Sequence, residues 1–353
     1  MRSEGSGSSR SAGFVSSVLK TFKRHKRAAQ VVVLGLVAMF LGASVIKSWN
    51  TLTHYSWQVH WQLLVLAFLL LVGQQVSFGF IWRGILLRMG YSLHAVTSQR
   101  IYLGSEFVRY IPGNVWHVIT RMLWAERYNI PKSVGFASMV IELATKITSA
   151  ALVFAISLFF WTDVHTLTTS ISPEAVISIA AVGIPLLLLG MKPSILRGAL
   201  NFGLRKLGRE QVAFSLTYRD VIAVTIYWGL SWVVAGAGFT VLMLALVPES
   251  ASLATFAIAL GIYALAWDIG FLSFITPSGL GVREAVIAFL LSAAFFGLTP
   301  AGAALGTVIA LLARLLSTGS EIICIAVAQA AWGSLRISDD AAGERPVGAK
   351  VEE

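Results

Sequence analysis

Apolar positions in this chain run together in long, uniform stretches. Ala28–Ile46, Trp61–Trp82 and Val221–Val247 contain no charged residue. A helix rises about 1.5 Å per residue, so about 20 apolar residues cross the roughly 30 Å hydrocarbon core of a bilayer. Each of the three is predicted to span. Ser133–Trp161, Ala175–Met191, Leu253–Ile275 and Ala301–Trp332 extend the pattern. The start of Ala175–Met191 is marked by Ser172-Pro173-Glu174, a cap, an N1 proline and a first-turn acid. Ala285–Leu298 is shorter, a length that suits a re-entrant or broken segment.

Composition agrees with the pattern. Hydrophobic residues make up 56% of the 353 positions and charged ones 12%, about half the share usual in soluble chains. The fold class is therefore all-α: a polytopic helical bundle of about eight spans with one or two re-entrant or broken segments. It divides into a flexible basic head (1–28), a transmembrane domain (29–332) and a disordered acidic tail (333–353). A cleaved signal peptide would have an apolar region of only about 7–15 residues, so the first stretch reads as an uncleaved span.

The excess of basic residues fixes orientation. Lys and Arg number seven in 1–28, seven in 83–132 and six in 192–219, but one in 47–60 and none in 162–174 or 248–252. Positive residues accumulate on the cytoplasmic side, which puts the N-terminus there in a multi-pass cell-membrane protein. If 279–298 spans, the total is eight and the tail is cytoplasmic; if it dips and returns, the total is seven and the tail lies outside. The same rule accounts for the formal charge of +10 without a nucleic-acid partner. Cys324 is the single cysteine and the six histidines show no metal-ligand spacing, so neither a disulfide within the chain nor a metal or other cofactor is expected.

Chemistry concentrates at two breaks. The first lies in Ile101–Arg127, where Glu106 and Arg109 precede Pro112 and Gly113. Proline lacks a donor and glycine frees the backbone, so two short helices must meet there. They either dip into the membrane or lie on it as an amphipathic pair. At the second break Pro277, Gly279 and Gly281 end one helix, and Arg283 and Glu284 begin the next. Interrupted helices in two halves of a membrane protein point to a transporter binding site. Within the spans, Glu142 and Lys146 stand four apart, as a self-neutralising pair or inside a polar cavity. Asp268 and Arg314 have no local partner and either pair between helices or line a cavity; Glu321 shares the face of Arg314. Arg83, Arg88, Arg121, Arg127 and Lys132 read as inner-rim topology charges.

Arg109-Tyr110-Ile111-Pro112-Gly113-Asn114-Val115-Trp116, followed by Arg121, resembles a YxPG signature. Thr276-Pro277-Ser278-Gly279-Leu280-Gly281-Val282-Arg283-Glu284 resembles one of the PxGLGxRE type. Both belong to the transmembrane region of the lysylphosphatidylglycerol synthases and their stand-alone flippase-like relatives, and the likeness covers roughly 29–332. The resemblance implies an eight-span flippase-like module, which in the multiple peptide resistance factors moves a lysine-modified lipid to the outer leaflet. The aminoacyltransferase domain of those proteins has no counterpart in the residues that follow Trp332, so aminoacyl transfer is not expected of this polypeptide. Some relatives carry the label of dolichyl-phosphate sugar synthases, but there is no DxD motif here to support it.

The expected function is to bind and flip a polar or anionic lipid through a charged groove. Its residues are Glu106, Arg109, Pro112, Gly113, Glu142, Lys146, Asp268, Pro277, Gly279, Gly281, Arg283, Glu284 and Arg314. No nucleotide-binding loop of the GxxxxGK[ST] type occurs, and no catalytic constellation, so the chain is not expected to be an enzyme. The expected partners are a membrane phospholipid or other polar lipid and a separate lipid-modifying enzyme. The alternative reading is a non-transporting partner or scaffold of a lipid-modifying synthase or glycosyltransferase.

Overall fold

A computed structural model describes residues 59–106, 116–161, 173–206, 216–247, 251–273 and 279–334, with Met39 and Ile46 alone from the preceding segment. The head, most of the first apolar stretch, the Arg109–Trp116 motif up to Val115, the 274–278 part of the second motif and the tail beyond Ser334 lie outside them. All regular structure among the described residues is helical.

In chain order the helices are α1 (Trp61–Arg88), α2 (Ala95–Glu106), α3 (Trp116–Glu126), α4 (Lys132–Ser157, with a 3-10 turn Leu158–Phe160), α5 (Pro173–Gly190), α6 (Pro193–Lys206), α7 (Tyr218–Leu244), α8 (Leu253–Leu272), α9 (Val282–Leu291, running into a π turn Ser292–Phe296) and α10 (Pro300–Ser334). Five of them, α1, α4, α7, α8 and α10, are long and apolar enough to cross a membrane. Ala181–Gly190 and Pro193–Phe202 form a sixth candidate bent by 59°, with the break where the apolar stretch Ala175–Met191 ends. The expected total of about eight is not reached among the described residues. Segment 279–298 does not reach spanning length: α9 has 10 residues and the π turn five. It packs against α10.

α1 and α7 run antiparallel, each tied to the other's end. The His60 N–H donates to the carbonyl of Ala245 at 3.0 Å. At the opposite end Arg88 approaches Asp220 at 3.5 Å, while Asp220 completes a capping box with Thr217 at the start of α7. The close approach of α7 to α8 needs Gly236, where a Cβ would lie 2.4 Å from a Leu260 methyl carbon.

Apolar packing falls into two clusters. One gathers Ala67 and Leu71 of α1, Ala150 of α4, Trp232–Met243 of α7 and Ile309–Ala313 of α10 around α8 and α9. The other gathers Phe78–Leu86 of α1, Val134–Ile141 of α4, Trp228 of α7 and Cys324 and Ala328 of α10 around α2. On α4 the interval between the clusters holds Glu142 and Lys146, and on α10 it holds Arg314, Ser317 and Glu321. Each cluster supplies apolar packing at one end of the bundle, and most of the buried charged side chains lie between them.

Candidate functional site

The polar layer encloses a cavity of about 320 Å³. Its wall is built by α2 and α3 on one side, α4 and α8 on another, and the 279–283 turn with α10 on the third. The charged groups on it are Glu106, Arg121, Glu142, Lys146, Arg283, Arg314 and Glu321, together with His117.

The hub is Arg121. Only 2% exposed, it donates from Nη1 to Glu142 Oε2 at 2.8 Å, from Nη2 to Glu106 Oε1 at 2.6 Å and from Nε to Ser105 Oγ at 3.1 Å. Its guanidinium lies 3.8 Å above the Tyr102 ring, and the Tyr102 hydroxyl donates to Glu142 Oε1 at 2.6 Å. A planar guanidinium offers donors in several directions, which is why arginine serves here where a point charge would not. The sequence reading of Arg121 as a rim charge is corrected: the side chain turns inward and joins α2, α3 and α4. The other rim assignments differ from it in kind. Lys132 pairs with Glu126 at 3.0 Å with both about half exposed, and Arg88 is bound to Asp220 at the bundle end.

That network bears on the α2 part of Ile101–Arg127. The segment forms two short helices, and Ile101–Ser105 of α2 are all buried against α1 and α10. Of its described residues, those of α2 are packed into the bundle, whereas α3 buries Arg121 and Ala125 and leaves Ile119 and Leu123 exposed.

Glu142 commits its two carboxylate oxygens to Arg121 and Tyr102. Lys146, one turn on, places its ammonium among three rings, 4.0 Å from the centre of Phe78, 4.2 Å from Trp267 and 4.7 Å from Trp228. Ring faces attract a cation, and three of them offset part of its desolvation. Asp268 follows Trp267 on α8, is 4% exposed, and leaves Oδ1 without a hydrogen-bond partner among the described residues.

The second break supplies the third wall. Gly279 and Gly281 have φ of +67° and +84°, and a Cβ on Gly279 would lie 2.9 Å from the Gly270 backbone. Glycine is required here so that the turn can press against α8. The Gly281 N–H then donates to Glu284, whose other oxygen is 3.6 Å from Nε of Arg314 on α10. Arg314 therefore both pairs between helices and lines the cavity. Arg283 stacks 4.5 Å above the ring of Tyr263 and meets no carboxylate among the described residues.

Of the expected groove residues, Glu106, Glu142, Lys146, Gly279, Arg283 and Arg314 line this one cavity. Asp268, Gly281 and Glu284 do not line it, although Glu284 pairs with the lining residue Arg314, and Arg109, Pro112, Gly113 and Pro277 lie outside the described residues. The flanks of both breaks nevertheless reach the same cavity, through Glu106 and His117 on one side and Gly279 and Arg283 on the other. The aromatic residues Tyr102, Trp228, Trp267 and Tyr263, which hold the cations, had no part in the sequence reading. In a chain so rich in aromatics nothing marked them out. Among the described residues no group of three metal-ligating side chains occurs.

A family model described as "Lysylphosphatidylglycerol synthase TM region" matches residues 27–319. The search of curated proteins found no match.

Proposed function

Because the chain belongs to the family of the lysylphosphatidylglycerol synthase transmembrane region, we propose that this multi-pass membrane protein moves a polar or anionic lipid between leaflets, with the headgroup passing through the charged cavity. Arg283 is the observation that carries the reading. It is a guanidinium on a cavity wall with an aromatic face behind it and no carboxylate beside it among the described residues. Arginine binds phosphate through two parallel hydrogen bonds. Membrane passage is slow because the head must leave water, and a polar layer between two apolar clusters offers replacement contacts at the depth where the cost is greatest. The acyl chains remain in lipid.

The test is a phosphatidylglycerol analogue with a photoreactive headgroup. Crosslinked peptides should come from α9 and α10 around Arg283 and Arg314, and unlabelled lipid should compete. Labels confined to the outer, lipid-facing residues would overturn the assignment.

The bilayer is the cytoplasmic membrane, with the N-terminus inside, on the strength of the distribution of Lys and Arg. With Cys324 replaced by serine, a cysteine at Thr168 should react with an impermeant thiol reagent in intact cells and one at Arg205 should not. The reverse result would invert the orientation.

A further inference from the structure

Beyond the bend at Pro193 the chain makes a helix that has no part in the cavity. α5, with 18 residues, is about 27 Å long, close to the hydrocarbon thickness by itself. The level of its last turn is fixed, because the Tyr218 hydroxyl donates to the Leu188 carbonyl at 2.9 Å. Tyr218 is the first residue of α7, and Asp220 beside it meets Arg88, the last residue of α1. α5 therefore ends where α1 ends and α7 begins. α6 starts at Pro193, turned by 59° from α5. Its Leu200 is buried in the cluster that holds Phe78–Leu86, the part of α1 next to Arg88. At Leu200 the chain is still at that end of the bundle, so α6 runs along it and does not complete a span.

The helical repeat gives α6 three sides. Leu196 and Leu200, four apart, turn toward the bundle, half-buried and buried. Ile195 and Phe202, seven apart, form a stripe that is 50% and 52% exposed. Ser194, Arg197 and Arg205 share the third side and are exposed, and Lys192 is exposed just before the helix. The Arg205 guanidinium lies 5.9 Å from the centre of the Phe202 ring, where the basic side borders the apolar one. No Asp or Glu occurs in Pro193–Lys206, whereas 192–219 carries six Lys and Arg.

As part of a span, α6 would carry Arg197 and Arg205 into hydrocarbon. Projecting into water, it would leave the Ile195–Phe202 stripe wet. An apolar stripe edged by cations alone fits the boundary between acyl chains and anionic headgroups. We propose that α6 is a membrane-surface helix and a binding site for anionic phospholipid, separate from the cavity. Ile195 and Phe202 dip among the acyl chains, and Lys192, Arg197 and Arg205 reach along their stems to the headgroup phosphates. That this leaflet is the cytoplasmic one rests on the orientation given above; the surface position does not.

The experiment places a fluorophore at Gly198→Cys in the full chain with Cys324→Ser, reconstituted into vesicles. Gly198 lies between the apolar stripe and Arg205, and nothing stands within 4 Å of the Cβ it would gain. Phosphatidylglycerol or phosphatidylcholine with brominated acyl chains quenches the label on contact. At low salt and equal mole fraction, brominated phosphatidylglycerol should quench about twofold more than brominated phosphatidylcholine, and raising the salt should shrink the difference. Lys192→Gln with Arg205→Gln should remove most of it. Bromines near the headgroup end of the chains should quench more than bromines near the methyl end. Equal quenching by the two lipids would overturn the anionic site while leaving the surface position. Stronger quenching by deep bromines would make α6 part of a span, and no quenching by either lipid would set the stripe against water, a second copy or another protein; both results overturn the proposal.

Discussion

Arg121→Ala lowers stability by about 3–5 kcal/mol or abolishes the folded protein, although in the sequence the residue looks like one more basic topology charge. The magnitude follows from what it leaves behind. Glu106 and Glu142 would both lose a charged partner within 2.8 Å, in a layer between two apolar clusters. Arg121→Lys recovers little, because an ammonium cannot serve Glu106, Glu142 and Ser105 together in the geometry that the guanidinium spans. Removing the carboxylates with the cation, in Arg121→Met with Glu106→Gln and Glu142→Gln, recovers part of the loss, since no buried charge is then stranded. Thermal unfolding and gel-filtration profiles in detergent measure all three. An Arg121→Ala protein as stable as native would return the residue to the rim.

Arg283→Ala has the second large effect, and of a different kind. The variant folds, because among the described residues no carboxylate depends on Arg283 and its stacking on Tyr263 is one cation–ring contact of about 1–2 kcal/mol. Lipid flipping, however, falls tenfold or more, as a bidentate phosphate contact worth about 1.5–3 kcal/mol is lost where the headgroup crosses. Arg283→Lys keeps the charge but not the fork and retains an intermediate rate. Arg314→Ala makes the informative contrast. It strands Glu284, so folded yield falls before any effect on rate can be read. If Arg283→Ala lost yield as severely as Arg314→Ala, the residue would be structural.

The helical bundle was legible because hydrocarbon imposes long apolar runs that little else in a sequence produces. The second break was legible for a related reason: proline and glycine act locally, and Gly279 and Gly281, read as ending a helix, stand at positive φ just before α9. Partners across helices were not legible. Arg121 and Glu142 are 21 residues apart and on different helices, and only the fold-back of α2 and α3 brings them together. The cage around Lys146 draws on α1, α7 and α8, so its i,i+4 relation to Glu142, the one feature visible in sequence, describes only part of its surroundings. The span count was not legible for a similar reason. Length and hydropathy do not say whether a helix as short as α9, which packs on α10, crosses or turns back.

The central claim is that the cavity lets a lipid headgroup cross. Its most direct test is a flipping assay in liposomes containing fluorescent phosphatidylglycerol or an amine-bearing analogue, where an impermeant reductant bleaches only the outer leaflet. The purified protein should accelerate loss of the inner-leaflet signal well beyond protein-free liposomes and liposomes with an unrelated multi-span protein, and Arg283→Ala should remove most of the gain. A native protein indistinguishable from those controls across such a lipid panel, with and without a proton gradient, would contradict the account.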